Sequence, residues 1–379
     1  MTCTPDSAAR ATFPNCVPVL SDGWVLLRAH TADDAPGIVE QCTDPDSIAW
    51  TTVPVPYGLA DARTWLAQIA RDWESDSAPR LWAITSAADP DTFLGSIDVR
   101  PRGAGIAEIG FGLHPSGRGR HLMSGAVRLV TRWWFDQGGV RMIWEANRGN
   151  FASWRVAHAC GFTFHGILPH HLDHRGEPVD AYYGSVGRDD DLYHPVRPWY
   201  EAPVLEAEQV RLRPWRDADI AAVPESDSTP QHFVPPGSIP TRDTFEPWLL
   251  RRRERQMTGM VVDWCIAERA GDLAVGNVLL ILDRHEPGAA ELGYVLLEHA
   301  RGRGLATTAA RLATEFGLRS REDGGLALRR ILAVTVGDNT GSSRVLETLG
   351  FTEWGRQEHA TARVDDSFDD TIHWVRFRD

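Results

Sequence analysis

The chain of 379 residues exceeds what one hydrophobic core usually organises, and 42% apolar with 24% charged residues is typical of a soluble globular protein. A net charge of −13 argues against nucleic acid as a partner, because phosphate backbones attract basic surfaces. No apolar run approaches the roughly 18 residues of a membrane span, and the N-terminus lacks the order of a secretory signal, so we expect a cytoplasmic protein without membrane contact.

In chain order, each half of the sequence predicts a strand, helices, further strands, a glycine-rich turn that enters a helix, and then a strand, a helix and final strands. The first half has a predicted strand at residues 94–100, a helix at 122–135 and a β-hairpin at 166–180. The second half has a corresponding strand at residues 275–282 and a helix at 305–318. This order predicts a mixed α/β fold in each half.

The two halves repeat one another. Residues 108–122 recur as residues 291–305 at a constant offset of 183 (291 − 108 and 305 − 122), with the shared pattern Glu-x-Gly-aromatic followed by Arg-Gly-Arg-x-Leu. Further on, the pattern Asn-x-x-Ser-x-Arg-Val recurs with its closing Gly-Phe. Similarity at a nearly fixed spacing over so many positions predicts a duplicated domain of ordinary size.

The seam between the copies is expected where three consecutive aspartates and three prolines interrupt any regular pattern. The predicted organisation is an N-terminal extension (residues 1–20), a first domain (21–188), a linker (189–204) and a second domain (205–379).

No metal site is expected. The five cysteines are odd in number and scattered, without the spacing of a disulfide framework or a zinc site. The one histidine cluster (165, 170, 171 and 174) matches no standard zinc motif. Cys160 and Cys265 lie in apolar stretches, which favours a place in the core over a catalytic role.

The turn at residues 301–306, Arg-Gly-Arg-Gly-Leu-Ala, stands between a predicted strand and a predicted helix. Successive backbone N–H groups of such a turn, together with the positive end of the helix, can bind a pyrophosphate. Glycine is expected there because a Cβ would block either a positive φ or the close approach of a phosphate.

Glu-Leu-Gly-Tyr at 291–294, the turn that follows, and the Asn-x-x-Ser-x-Arg-Val pattern ending in Gly-Phe together resemble the GNAT acyltransferase superfamily. The pattern looks like the branch of ribosomal-protein N-terminal acetyltransferases, and the first half adds the closing signature of that branch within residues 166–180. The resemblance implies two tandem GNAT folds of the α/β class, each a mixed, largely antiparallel sheet flanked by helices. It also implies acetyl-CoA or a related acyl-CoA as the acyl donor, with its pantetheine inserted like an extra strand where two central strands separate.

The resemblance places the cofactor on a defined set of positions in the second half. The implied contacts are Val295, Leu296, Arg301, Gly302, Arg303, Gly304, Leu305, Ala306 and Asn339. Asn339 is implied to hold the pantetheine arm, although its position also suits the capping of a helix.

The first half departs from the family pattern because His121 replaces the glycine that corresponds to Gly304. A side chain there is expected to weaken or abolish phosphate binding. The second, possible cofactor site would comprise Glu108, Arg118, Gly119, Arg120, Leu122, Asn150 and Ser153.

Acylation of an amine by a thioester requires a base for the amine and a proton for the leaving thiolate. Glu291 can act as that base, or it can be a fixed carboxylate between strands. The resemblance suggests that Ser342 protonates the thiolate, and Leu346 occupies the place where many family members have a tyrosine.

The sequence thus predicts an N-acetyltransferase that transfers an acetyl group to a primary amine by direct attack in a ternary complex. The acceptor is either a protein N-terminus or a small cationic amine, and the loops at 46–56 and 226–240 are expected to select it. Two alternatives stay open, namely a non-catalytic tandem module that binds acyl-CoA or an amine, and a protein with two competent domains. Either a monomer or a homodimer is compatible with the sequence.

Overall fold

The computed structural model describes residues 12–13, 17–75, 78–225, 234, 237–283, 285–363 and 367–378. Cys3, Cys16, most of the predicted N-terminal extension and most of the predicted acceptor loop at 226–240 lie outside these residues. The chain divides into two compact units between Val196 and Arg197. The predicted limits of the extension, the two domains and the linker stay a prediction.

The first unit contains ten strands and five α-helices among its described residues. The strands are β1 (Thr12–Phe13), β2 (Leu20–Ser21), β3 (Val25–Arg28), β4 (His30–Thr31), β5 (Arg80–Ser86), β6 (Gly95–Gly103), β7 (Ile106–Leu113), β8 (Arg141–Asn147), β9 (Thr163–His174) and β10 (Glu177–Gly187). The helices are α1 (Ala35–Thr43), α2 (Pro45–Trp50), α3 (Leu59–Asp72), α4 (Leu122–Asp136) and α5 (Phe151–Ala159).

The second unit repeats this order with eight strands and three α-helices among its described residues. The strands are β11 (Leu205–Ala207), β12 (Val210–Arg213), β13 (Val261–Glu268), β14 (Ala274–Leu282), β15 (Ala289–Leu296), β16 (Arg330–Val336), β17 (Thr352–Ala362) and β18 (Phe368–Phe377). The helices are α6 (Phe245–Met257), α7 (Leu305–Leu318) and α8 (Thr340–Thr348).

Each unit is built on one eight-stranded mixed sheet. The strand order is β2-β3-β5-β6-β7-β8-β10-β9 in the first unit and β11-β12-β13-β14-β15-β16-β18-β17 in the second. All neighbours are antiparallel except β7 with β8 and β15 with β16, which run parallel. The predicted fold class, two tandem α/β units with largely antiparallel sheets, is confirmed.

Both faces of the second sheet are covered, which explains why β13 is apolar at nearly every position. On one face α7 packs its alanine-rich stripe against the sheet, and Phe316 meets Trp264 edge to face at 5.5 Å. On the other face α6 contributes Phe245 and Trp248, which pack with Cys265. Alternate side chains of each strand therefore enter different layers.

The two parallel strand pairs separate soon after they begin. In the second unit, β15 pairs with β16 only through residues 289–291. In the first unit, β7 pairs with β8 only through residues 106–109. Beyond these points the two strands diverge, while β15 remains paired with β14 as far as Leu296. The result is a wedge-shaped groove between two central strands in each unit.

A close approach between β14 and β15 holds β15 in this position. Gly276 pairs with Leu296, and a Cβ at residue 276 would lie 2.3 Å from the Val295 carbonyl oxygen. That distance is far below van der Waals contact, so only glycine fits.

We therefore expect Gly276→Ala to lower the free energy of unfolding by about 1–3 kcal/mol, because the extra methyl forces the two strands apart. Gly293→Ala is the matched control, since a Cβ there would meet only the Leu279 side chain at 3.6 Å or more. Urea denaturation measures both variants. Equal stabilities would show that the β14–β15 contact does not constrain the groove.

Candidate active site

The turn at residues 301–304 enters α7 with its backbone in a conformation suited to an anion. Gly302 and Gly304 have φ values of 72° and 76°, and Gly304 is the N-cap of α7. The N–H groups of the first helical turn, which include those of Leu305 and Ala306, have no partners within the helix. They form the positive end of the helix dipole. The Nε2 group of Gln209 donates to the Arg303 carbonyl oxygen at 3.0 Å and so fixes the middle of the turn.

The two arginines of this turn differ in their partners. Arg303 forms an ion pair with Glu268 at 2.6 Å. The Arg301 guanidinium donates to the Leu296 carbonyl oxygen at 3.3 Å, and no carboxylate among the described residues lies within ion-pair distance of it. Arg301 therefore retains N–H donors for an anion in the turn.

The groove beside the turn is bounded by β15 and by the start of α8. Val295 and Leu296 lie in the part of β15 that has left β16, so one edge of the backbone there has no strand partner. Across the opening, Asn339 caps α8, and its Oδ1 atom accepts from the Ser342 backbone N–H at 3.1 Å. The structure thus shows the capping role of Asn339.

Glu291 is the last residue of β15 that pairs with β16, so it stands where the groove closes. It is exposed, and its neighbours in register are Ile281 on β14 and Leu332 on β16. Desolvation raises the pKa of the Glu291 carboxyl, while His373 acts in the opposite direction. A carboxyl group with a raised pKa is well suited to accept a proton near neutral pH.

Glu291 also lines an open cavity of about 350 Å³ at this end of the sheet. The apolar wall is formed mainly by residues of β13, β14 and β16, and its charged groups are Arg255, Asp283 and Glu291 with His285 beside them. The cavity therefore offers charged groups of both signs around the carboxyl group.

One residue of this site was absent from the sequence prediction. The Tyr294 hydroxyl lies 2.7 Å from Ser342 Oγ and 3.2 Å from the Ser342 carbonyl oxygen. Burial raises the pKa of Tyr294 to about 12. The available signal was the contrast between Tyr294 and Phe111, which stand at the same place in the two repeats.

The turn of the first unit follows the same path in spite of His121. Gly119 and His121 have φ values of 71° and 57°, and His121 is the N-cap of α4. The Trp24 indole N–H donates to the Arg120 carbonyl oxygen at 3.2 Å, as Gln209 does in the second unit. The backbone of the turn therefore does not require glycine, because the left-handed region costs a non-glycine residue only about 1–2 kcal/mol and His121 is exposed. The expected obstruction of a phosphate by the His121 side chain stays a prediction.

Two carboxylates form ion pairs with the arginine in the turn of the first unit. Arg118 forms ion pairs with Asp46 at 2.9 Å and with Asp44, both from the start of α2. Arg118 also lies 3.4 Å from Ser47 Oγ. Whereas Arg301 has no carboxylate partner in the described part of the second unit, the Arg118 guanidinium is already neutralised.

Glu108, the counterpart of Glu291, is buried and bound by two arginines. Arg100 pairs with it at 3.0 Å, and Arg102 donates to its other oxygen. Arg100 occupies the register position that Ile281 holds in the second unit. Glu108 is therefore a fixed carboxylate between strands, which is the alternative interpretation that the sequence left open for Glu291.

The remaining predicted residues of the first unit have structural contacts. Asn150 caps α5 by accepting from the Ser153 backbone N–H at 3.0 Å, and Leu122 is buried at the start of α4. The Ser153 hydroxyl accepts from the Trp144 indole N–H at 2.9 Å.

The thiols of Cys160 and Cys265 are buried in the core, and the histidine cluster on β9 contacts β8 and β10. Burial raises the pKa of Cys160 to about 12 and also raises that of Cys265, so neither thiol is poised to ionise. His165 contacts Ser185, and His171 contacts Glu145. Among the described residues, no three His, Cys, Asp or Glu side chains are grouped to hold a metal ion, and no helix is long and apolar enough to cross a bilayer.

The sequence matches the family model of the acetyltransferase (GNAT) domain twice, over residues 25–163 and 209–352. These matches cover more than half of the chain. The protein belongs to the GNAT acetyltransferases, and the predicted family membership is confirmed.

Solved structures similar to this chain include ribosomal-protein acetyltransferases. RimL, a ribosomal L7/L12 α-N-protein acetyltransferase, is 16% identical over 49% of this chain and 99% of its own, with a TM-score of 0.42. RimJ of Mycobacterium smegmatis, in complex with CoA-disulfide, is 17% identical over 46% of this chain and 87% of its own, with a TM-score of 0.41. The microcin C7 self-immunity acetyltransferase MccE, in complex with acetyl-CoA and AMP, is 18% identical over 44% of this chain and 93% of its own, with a TM-score of 0.40.

Because His121 already adopts the turn conformation, Gly304→His should fold with the same backbone and lose about 1–2 kcal/mol of stability. Gly324→His is the matched control, because Gly324 has a φ of 79° and equally open surroundings but lies beyond the other end of α7. Circular dichroism and urea denaturation should give the same result for both variants. A misfolded Gly304→His protein beside a folded Gly324→His protein would show that the turn requires glycine.

Proposed function

We propose that the second unit transfers an acetyl group from acetyl-CoA, or a related acyl group, to a primary amine by direct attack in a ternary complex. The observation that carries this proposal is the position of Glu291 at the closed end of the groove whose open end carries the glycine turn. A proton acceptor and an anion-binding turn at the two ends of one groove suit a reaction between an amine and an acyl-CoA thioester.

The residues around the groove fit the chemical parts of the donor. Arg301 and the N–H groups from Gly302 to Ala306 would hold the pyrophosphate. The edge of β15 that has separated from β16 at Val295 and Leu296 would hydrogen-bond the amides of the pantetheine arm, as a neighbouring strand would, beside the Leu296 carbonyl oxygen that accepts from Arg301. The bound donor supplies the activated acyl group.

Glu291 accepts a proton from the attacking amine, either directly or through one water molecule. Desolvation keeps the pKa of the Glu291 carboxyl raised, which makes the carboxylate a better proton acceptor near neutral pH. Ser342, across the groove, donates a proton to the leaving thiolate. Because the amine loses one proton and the thiolate gains one, the overall reaction is balanced.

The acceptor amine enters through the cavity beside Glu291. Asp283 and Glu291 attract a cationic amine, and the apolar wall accepts the carbon chain beside it. A protein N-terminus and a small polyamine both carry such a group.

The acceptor class can be identified by incubating the protein with acetyl-CoA and panels of peptides, aminoglycosides and polyamines, followed by mass spectrometry. Binding of acetyl-CoA without any acetylated product would instead indicate a binding module.

We expect isothermal titration calorimetry to give one acetyl-CoA per chain. In the first unit Arg118 is already paired with carboxylates, and the His121 side chain stands where a phosphate would bind. Gly304→His should weaken that binding by at least about 10-fold, since the imidazole enters the space that a phosphate would fill. Gly324→His should bind like the wild type. A stoichiometry of two, or unchanged affinity in Gly304→His, would contradict the assignment of the site to the second unit.

Glu291→Gln should lower kcat by roughly 100-fold with little change in acetyl-CoA affinity, because the amide cannot accept the amine proton. Glu347→Gln, which alters an exposed carboxylate on α8, is the control. In the wild type, kcat should rise with pH through a pKa above the ordinary glutamate value, since only the ionised carboxylate is a base. The same pH–rate profile for Glu291→Gln and wild type would exclude Glu291 as the base.

A further inference from the structure

The contact between Tyr294 and Ser342 crosses the groove of the second unit. Tyr294 lies in the part of β15 that has separated from β16, and Ser342 lies in the first turn of α8. The two hydroxyl oxygens are 2.7 Å apart, which is a short O–H···O hydrogen bond. The bond therefore joins the two walls of the groove beside the place where the thioester would lie.

The environment of Tyr294 keeps its hydroxyl group protonated, so the tyrosine is available as a donor. Tyr294 packs against the main core of the second unit, and burial disfavours its ionisation. Either hydroxyl group can donate across the 2.7 Å contact, and the Ser342 carbonyl oxygen at 3.2 Å is a second acceptor for the tyrosine proton. When Oγ accepts from the tyrosine, the serine hydroxyl proton is directed elsewhere, and the open side is the groove.

The first unit lacks this arrangement. Phe111 stands at the place of Tyr294 and has no hydroxyl group. The Ser153 oxygen instead accepts from the Trp144 indole N–H, and Ala333 replaces that tryptophan in the second unit. A tyrosine partner for the serine thus occurs in the same unit as Glu291, which has no ion pair among the described residues, and as the glycine turn.

We propose that Tyr294 is a positioning residue for the general acid Ser342, an inference that rests on the proposed acyl transfer. When the C–S bond breaks, its electron pair goes to sulfur, which takes the Ser342 hydroxyl proton. The Tyr294 O–H bond to Ser342 Oγ stabilises the negative charge that develops on the serine oxygen. Ser342 then regains a proton from solvent, which receives the proton that the amine gave to Glu291.

The test is a double-mutant cycle of Tyr294→Phe and Ser342→Ala, with thiol release from acetyl-CoA measured on the best acceptor from the amine panel. Each single variant should lower kcat by about 10-fold, the value of one hydrogen bond to a group that develops charge. The double variant should lose no more than Ser342→Ala alone, because Tyr294 acts only through the serine. Tyr200→Phe is the matched control, since Tyr200 is another partly buried tyrosine on the same core.

Two further readouts separate positioning from a structural role. Acetyl-CoA affinity should stay unchanged in Tyr294→Phe, and its kcat defect should shrink above about pH 8.5, the ordinary pKa of a thiol, where the leaving thiolate needs no proton. Additive losses in the double variant, or a defect that is constant with pH, overturn the role of Tyr294 alone. A wild-type protein that acetylates no amine overturns the proposed function and this inference with it.

Discussion

The short parallel pairing between β15 and β16 is the constraint on which the site depends. β15 is bound to β14 through residues 290–296 but to β16 only through 289–291. Backbone N–H and C=O groups on the free edge must find water or a ligand, because unpaired groups cost free energy when they are desolvated. The groove, the position of Glu291 and the approach to the glycine turn all follow from this separation of two strands.

The first unit has the same order of strands in its sheet and the same turn conformation, so neither feature distinguishes the two grooves. The differences lie in a few side chains around the groove. Arg100 stands at the register position of Ile281, and it forms an ion pair with Glu108, whereas the apolar Ile281 cannot pair with Glu291. Likewise, Asp44 and Asp46 form ion pairs with Arg118 in the turn of the first unit. A copy of the fold can thus keep its core and its groove while its polar groups are paired internally.

Features that depend on repeats and on local patterns could be predicted from the sequence. The duplication, the helix at 305–318 and the order of strands required only periodicity and spacing, and the structure has them. The ion pairs of Arg118 join residues 72 and 74 positions apart, and the contact between Tyr294 and Ser342 joins residues 48 positions apart, so no local pattern reveals them. At His121 the structure shows that the backbone of the turn tolerates a side chain, while the predicted obstruction of a phosphate by that side chain stays a prediction.

The pairing of Glu108 and the isolation of Glu291 differ in energetic cost. A carboxylate with a raised pKa is less stable in its ionised form than one in water, whereas a carboxylate between two arginines recovers part of its lost hydration. Stability alone would therefore favour an arginine at position 281, as the first unit has at position 100. An apolar residue at position 281 suits the proposed role of Glu291, in which the carboxylate takes up and releases a proton. An ion pair with an arginine at that position would hold the pKa of Glu291 too low for a base. Among the described residues, two arginines pair with Glu108 and none pairs with Glu291, and the proposed role of Glu291 as a base rests on this contrast.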